Sequence, residues 1–170
     1  VSRGLGDVYK RQVYYQNGLL TEEKPCMIAG LDYNTPWTRD TAINIWNALS
    51  ILSPEVSKNT LLAVLEEEEG NIYIGGQYWD SIIWMIGARE YCRFHKDDNF
   101  YRLAFEAGRN SVHRLEEDEF DEEDGLFRGP AVYGDGIAAY PDKYSKCPNQ
   151  GSGILEWVDY PGNPVYPKGY

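Results

Sequence analysis

Cysteine is scarce in this 170-residue chain, which has three: Cys26, Cys92 and Cys147. Odd in number and far apart, they exclude a dense disulfide framework and a zinc cage built from CxxC pairs. Positive charge is also in short supply, with 16 Lys and Arg against 27 Asp and Glu and a formal net charge of -11. A nucleic-acid groove needs clustered basic side chains, so no nucleic-acid partner is expected. An anionic membrane surface is disfavoured for the same reason, and no run of eighteen apolar residues is available to span a bilayer. The two histidines, His95 and His113, lack metal-ligand spacing. No metal and no organic cofactor is expected.

What the chain does have is aromatic surface. Aromatic residues make up 14% of it, including 14 Tyr and 5 Trp. Planar amphipathic rings among acidic side chains suit a ligand that is neutral, hydroxylated and apolar on its faces. The length is that of one domain able to bury a sizeable core.

The first twelve residues stand apart. Ser2 to Gln12, SRGLGDVYKRQ, can be read codon by codon as a stretch that resembles an adapter of transposase-based sequencing libraries. Residues 1–12 are therefore expected to be an assembly artefact. Residues 13–170 are then the native part, truncated at both ends, with the true start and the compartment left open.

Along that part, four helices are expected. Thr35-Pro36 offers a cap and a first-turn proline, and Trp37, Ala42, Ile45, Trp46, Leu49 and Leu52 recur at helical spacing. Ser53-Pro54 repeats the signal, and the second helix carries Val56, Leu61, Leu62, Val64 and Leu65 up to Glu69-Gly70. The short connection Ile51 to Ser53 makes these two an antiparallel hairpin. Asn71 to Tyr78 reads as a glycine-bearing loop, Trp79 to Phe94 as a strongly apolar helix, and Phe100 to Leu115 as a fourth, amphipathic one. Glu116 to Asp124 is an acidic exit, and the remainder to Tyr170 reads as long loops rich in Gly, Pro and Tyr. Short turns and long loops alternate. In stacked hairpins this puts the long loops, and the helix starts they feed, at one end.

Those starts share a composition. The first reads Pro36-Trp37-Thr38-Arg39-Asp40, the second Gln77-Tyr78-Trp79-Asp80, the third Tyr133-Gly134-Asp135-Gly136. Each sets an aromatic ring beside a carboxylate. A pyranose has equatorial hydroxyls at its rim and C–H groups on its faces, so Trp or Tyr can stack on it while Asp or Arg bonds the rim. An Arg next to an Asp can also form a charge-assisted pair that fixes both before a ligand arrives.

WTRDTA, Trp37 to Ala42, resembles the tryptophan-x-arginine-aspartate motif of the six-hairpin toroid glycosidases, shared by glucoamylases and the glucosidase domain of glycogen debranching enzymes. YWDSIIWMIGAREYCRFHKDD, Tyr78 to Asp98, is similar to a debranching-enzyme segment in which an Asp precedes paired aromatics. DGLFRGPAVYGDG, Asp124 to Gly136, sits where those proteins carry a loop ending in the general acid. The resemblance implies an all-α chain of helical hairpins forming part of an (α/α)6 toroid, with a carbohydrate substrate. It implies that Trp37, Arg39 and Asp40 line the subsite of the non-reducing sugar, with Trp79 and Asp80 flanking it. Asp135 beside Tyr133 is the candidate general acid, with Asp142 and Glu156 as fallbacks. An inverting hydrolase places its base carboxylate roughly 6.5 to 9.5 Å from the acid. No match for that base precedes Tyr170, so the piece alone is expected to be inactive. Two alternatives remain beside a hydrolase: a toroid glycoside phosphorylase, and a helical scaffold that binds glycans or proteins without chemistry.

Overall fold

A computed structural model of the chain describes residues 12–29, 35–76, 80–127, 129–130 and 168–169. The chain divides into two compact units, Val1–Arg114 and Leu115–Tyr170. Helices dominate the described residues, so the chain is mainly α, but short antiparallel β-hairpins punctuate it. None of the described helices is long and apolar enough to cross a membrane.

The first unit opens with strands β1 (Gln12–Tyr15) and β2 (Lys24–Met27), paired in the register Gln12↔Met27 to Tyr15↔Lys24. Gln12, the last residue of the adapter-like stretch, is thus in this ladder. Helix α1 begins at Thr38–Asn44, widens through a π-helical segment, Ile45–Leu49, and ends as Ser50–Leu52. It starts later than Thr35-Pro36 suggests. A residue before proline is driven to extended backbone, and it is Trp37, at φ -112 and ψ 134, that caps the helix, its carbonyl accepting the Thr41 N–H at 2.9 Å. Ser53 makes the turn into α2 (Pro54–Ala63), where Pro54 occupies the first helical position. This hairpin is the one the short connection implies.

Helix α2 ends at Ala63, not near Glu69. Leu65–Glu68 is strand β3, paired with β4 (Asn71–Ile74) across Glu69-Gly70. Both turn residues have positive φ, 52 and 80. That combination is the I′-type two-residue turn whose twist matches a β-ribbon. Helix α3 (Asp80–Phe94) and the long α4 (Asp98–Glu119) follow. Asp97 caps α4: its Oδ1 accepts the Phe100 N–H at 3.0 Å while Lys58 Nζ lies 2.6 Å from its Oδ2. The bond from Lys58, and then that from the Phe100 N–H, hold the Asp97 carboxyl below its ordinary value.

The larger of two buried clusters joins the helices to β3 and β4, and a smaller one, Leu20, Cys26 and Ala63, seats the first hairpin on α2. Ile45, Leu61, Leu65, Trp84, Ala88, Tyr91, Phe100 and Ala107 are buried together. Trp84 is fully enclosed, donates its indole N–H to the Leu61 carbonyl at 3.2 Å, and lies 6.5 Å from the Phe100 ring. Helices α1 and α3 approach so closely that a Cβ on Gly87 would sit 2.9 Å from the Ala42 Cα. Here glycine is what permits the contact.

The hairpins are pinned to helices by side chains. Thr60 Oγ1 accepts the Met27 N–H at 3.0 Å and Asn59 Nδ2 donates to the Pro25 carbonyl at 3.2 Å, seating β2 on α2. Ser111 Oγ accepts the Ile74 N–H at 2.9 Å, and the Arg114 guanidinium covers the Tyr73 ring at 3.5 Å while reaching Glu68 at 2.6 Å. His95, whose spacing from His113 gave it no metal role in the sequence, has a structural task. Its Nε2 lies 2.7 Å from the carbonyl of Ser50, so this nitrogen carries the proton and closes the C-terminal end of α1.

Cys26, on β2, is completely enclosed. Burial pushes its thiol up to about 11, outweighing the hydrogen bond with Thr60. Because the thiolate is the reactive form, alkylation of Cys26 by iodoacetamide at pH 8 is expected to be slower by at least two orders of magnitude in the native protein than in urea. Mass spectrometry of the modified peptide checks this. Equal rates would refute it.

In the second unit, the last residues of α4 lead to β5 (Phe120–Asp121), paired with β6 (Leu126–Phe127). The acidic exit is therefore partly helix and partly hairpin. Asp121 organises it, its Oδ1 accepting the N–H groups of Glu123 at 2.9 Å and Asp124 at 3.3 Å, an Asx turn. Gly125, at φ 67, completes the reversal by donating to the Asp121 carbonyl at 2.8 Å. A last two-residue pair joins β7 (Gly129–Pro130) to β8 (Lys168–Gly169).

Candidate functional site

Four of the residues singled out by their sequence, Trp37, Arg39, Asp40 and Asp80, fall at the starts of α1 and α3. These helices lie side by side in the same sense, because their first turns meet at Arg39 and Asp80 and their next turns at Ala42 and Gly87. Arg39 Nε donates to Asp80 Oδ1 at 3.1 Å across a sequence separation of 41 residues. Two of the three helix starts thus converge. The Asp80 side chain is 4% exposed and that of Arg39 31%, so the carboxylate sits beneath and the guanidinium reaches toward solvent. A carboxylate so enclosed is costly to keep charged without a counter-ion and hydrogen bonds. Arg39 supplies both.

The pairing differs from the neighbour-to-neighbour one the sequence invited. Arg39 reaches Asp80, not Asp40, because consecutive residues on a helix point to different sides. Asp40 is half-buried in the first turn of α1, where a negative charge is favoured by the exposed N–H groups. Trp37, immediately before the helix, keeps 37% of its surface exposed. The described part of the site therefore combines an accessible indole, a half-exposed guanidinium and a carboxylate at one helix start, which is donor, acceptor and stacking surface together.

Three further residues shape the site without having drawn notice in the sequence. Thr38 Oγ1 donates to the Gly75 carbonyl at 2.8 Å, tying the start of α1 to the segment that leads from β4 to α3. Gly75 is anchored in turn by its N–H to the Val64 carbonyl at 2.9 Å. Gly76 adopts φ 115, and a Cβ there would lie 2.6 Å from Asp80 Oδ2 and 2.8 Å from Thr38 Oγ1. The signal that could have found them is the Gly75-Gly76 pair just before an aromatic-Asp motif.

Trp79, Tyr133, Asp135, Asp142 and Glu156 lie outside the described residues. Arg39, Asp40, Asp80 and Trp37 are accordingly the predicted site residues whose places are known. Among the described residues no group of His, Cys, Asp and Glu is arranged to hold a metal ion. Compared with family models, curated proteins and solved structures, the chain matches none.

Proposed function

We propose that the chain carries part of the sugar-binding face of a glycoside hydrolase of inverting type, built from helical hairpins of an (α/α)6 toroid. The observation that carries the proposal is the meeting of Arg39 and Asp80, from two motifs 41 residues apart, at the starts of parallel helices. Trp37 beside them supplies the stacking face that a pyranose ring needs. In this reading Arg39 and Asp40 bond the hydroxyls of the non-reducing sugar, with Trp79 and Tyr133 adding aromatic surface. Asp135 serves as general acid, protonating the leaving glycosidic oxygen.

Binding tests the reading first. The chain titrated with a panel of neutral gluco-, manno- and galacto-oligosaccharides in both anomeric linkages is expected to bind at least one member. Asp40→Asn is expected to weaken that binding about tenfold, the scale of one charged hydrogen bond, while lowering the melting temperature by only a few degrees, the scale of one first-turn charge. A panel without any binding ligand would overturn the reading. Turnover tests the acid. In an enzyme assembled with its base, Asp135→Asn should lower turnover by orders of magnitude while sparing affinity, and unchanged turnover removes Asp135 from that role.

A further inference from the structure

We infer that Asp80 is a positioning residue: it fixes the direction of the Arg39 guanidinium and leaves contact with the sugar to Arg39 and Asp40. The inference rests on the sugar-binding reading above. It departs from the expectation that Asp80 itself flanks the ligand.

Accessibility separates the two partners. With 4% of its side chain exposed, Asp80 has almost no surface to offer a ligand, whereas Arg39 keeps nearly a third. Chemistry points the same way. The bond is made by Nε, the nitrogen at the inner edge of the guanidinium. The other four N–H donors of an arginine are on its two outer nitrogens, in the plane of the guanidinium. A carboxylate holding Nε therefore limits the directions in which the outer edge of the guanidinium can be presented to a sugar.

The carboxylate is itself set from both sides. Thr38 on α1 holds the Gly75 carbonyl, and the backbone of Gly76 comes so near Asp80 Oδ2 and Thr38 Oγ1 that no side chain fits between. Gly76 at φ 115 holds a conformation that L side chains rarely adopt. The close backbone of Gly76 therefore leaves the carboxylate little room to move, and the carboxylate in turn restrains the long side chain of Arg39 before any ligand arrives.

Two measurements on the intact chain test this. The first is the 1H–15N signal of the Arg39 side-chain Nε–H, assigned by its loss in Arg39→Lys. In the wild type it should be shifted downfield and exchange slowly; Asp80→Asn should move it upfield and speed its exchange. Asp80→Glu, which keeps the charge and moves the carboxylate by one methylene, is the second variant and should shift the signal as well. A signal unmoved by both variants overturns the inference whether or not any sugar binds.

The second measurement is affinity for the tightest oligosaccharide of the panel. Asp80→Asn and Arg39→Lys are each expected to weaken binding about tenfold, and the double variant no more than the weaker single, because both remove one oriented guanidinium. A double variant that loses the product of the two effects means that Asp80 touches the sugar independently, and the inference falls. A panel that does not bind the wild type sinks the sugar reading, while the Nε–H signal still decides whether Asp80 orients Arg39.

Discussion

Trp84→Ala is expected to destabilise the chain by about 3–5 kcal/mol, the range for emptying the site of a large buried aromatic. The size follows from three losses at once. The indole is fully enclosed, so its whole apolar surface returns to water and a cavity opens between α2, α3 and α4. Its N–H donates to the Leu61 carbonyl at 3.2 Å, which then has one bond fewer. Its contact with Phe100, 6.5 Å between ring centres, also goes. Against a typical stability of about 5–15 kcal/mol, the variant should unfold at a far lower urea concentration. An urea midpoint within experimental error of the wild type would show that Trp84 is not the centre of the core.

Arg39→Leu is expected to cost about 3 kcal/mol, the lower end of the range for removing one partner of a buried ion pair. The lower end applies because Arg39 keeps 31% of its side chain in solvent, while Asp80 keeps only 4%. Nearly all of the cost is the enclosed carboxylate left without its guanidinium, not the loss of attraction as such. Adding Asp80→Asn to the same chain should therefore recover at least half of the loss, since a neutral amide needs no counter-ion. Thermal melts of the two single variants and the double decide it. If the double variant falls further than Arg39→Leu alone, the pair is not the unit it is described as.

Parts of this architecture are legible in the sequence for clear reasons. Ser53-Pro54 marks the start of α2 because proline's fixed φ suits a first helical turn and nothing in the fold competes with it. The apolar run from Trp84 to Tyr91 marks α3 because its buried side recurs at helical spacing. The hairpin β3–β4 is hidden. Glu66, Glu67 and Glu68 are good helix formers placed directly after α2, and they read as its charged end. Two facts outweigh that propensity: the Glu69-Gly70 turn with both φ positive, and Asn71-Ile72-Tyr73-Ile74, whose β-branched and aromatic residues find Ser111, Asn110 and Arg114 waiting on α4. None of those partners is near in sequence.

The site divides along the same line. Trp37, Arg39, Asp40 and Asp80 announce themselves as chemistry-bearing residues at helix starts. The bond from Arg39 to Asp80 does not, because adjacency in sequence suggested Asp40 and only the packing of α1 on α3 brings Asp80 within reach. Thr38, Gly75 and Gly76 are common residue types whose importance lies wholly in how closely two backbones approach. Such approach leaves no compositional mark.

The π-helical segment Ile45–Leu49 gives this arrangement an unusual dependence. An α-helix advances by about 100° per residue, so a wide turn of this kind accommodates one residue more than a regular helix would over the same length. Deleting any single residue there would let α1 close into a regular helix while leaving every side chain of the site chemically intact. The first turn, with Arg39 and Asp40, would keep its orientation to the Ser53 turn, which His95 and α2 hold in place, because the wide turn only absorbs the extra residue. Removing a residue from the regular turns on either side would instead rotate that first turn by roughly 100° about the axis and carry Arg39 away from Asp80. Ile45–Leu49 is thus the stretch of α1 in which a lost residue leaves the Arg39–Asp80 pair standing.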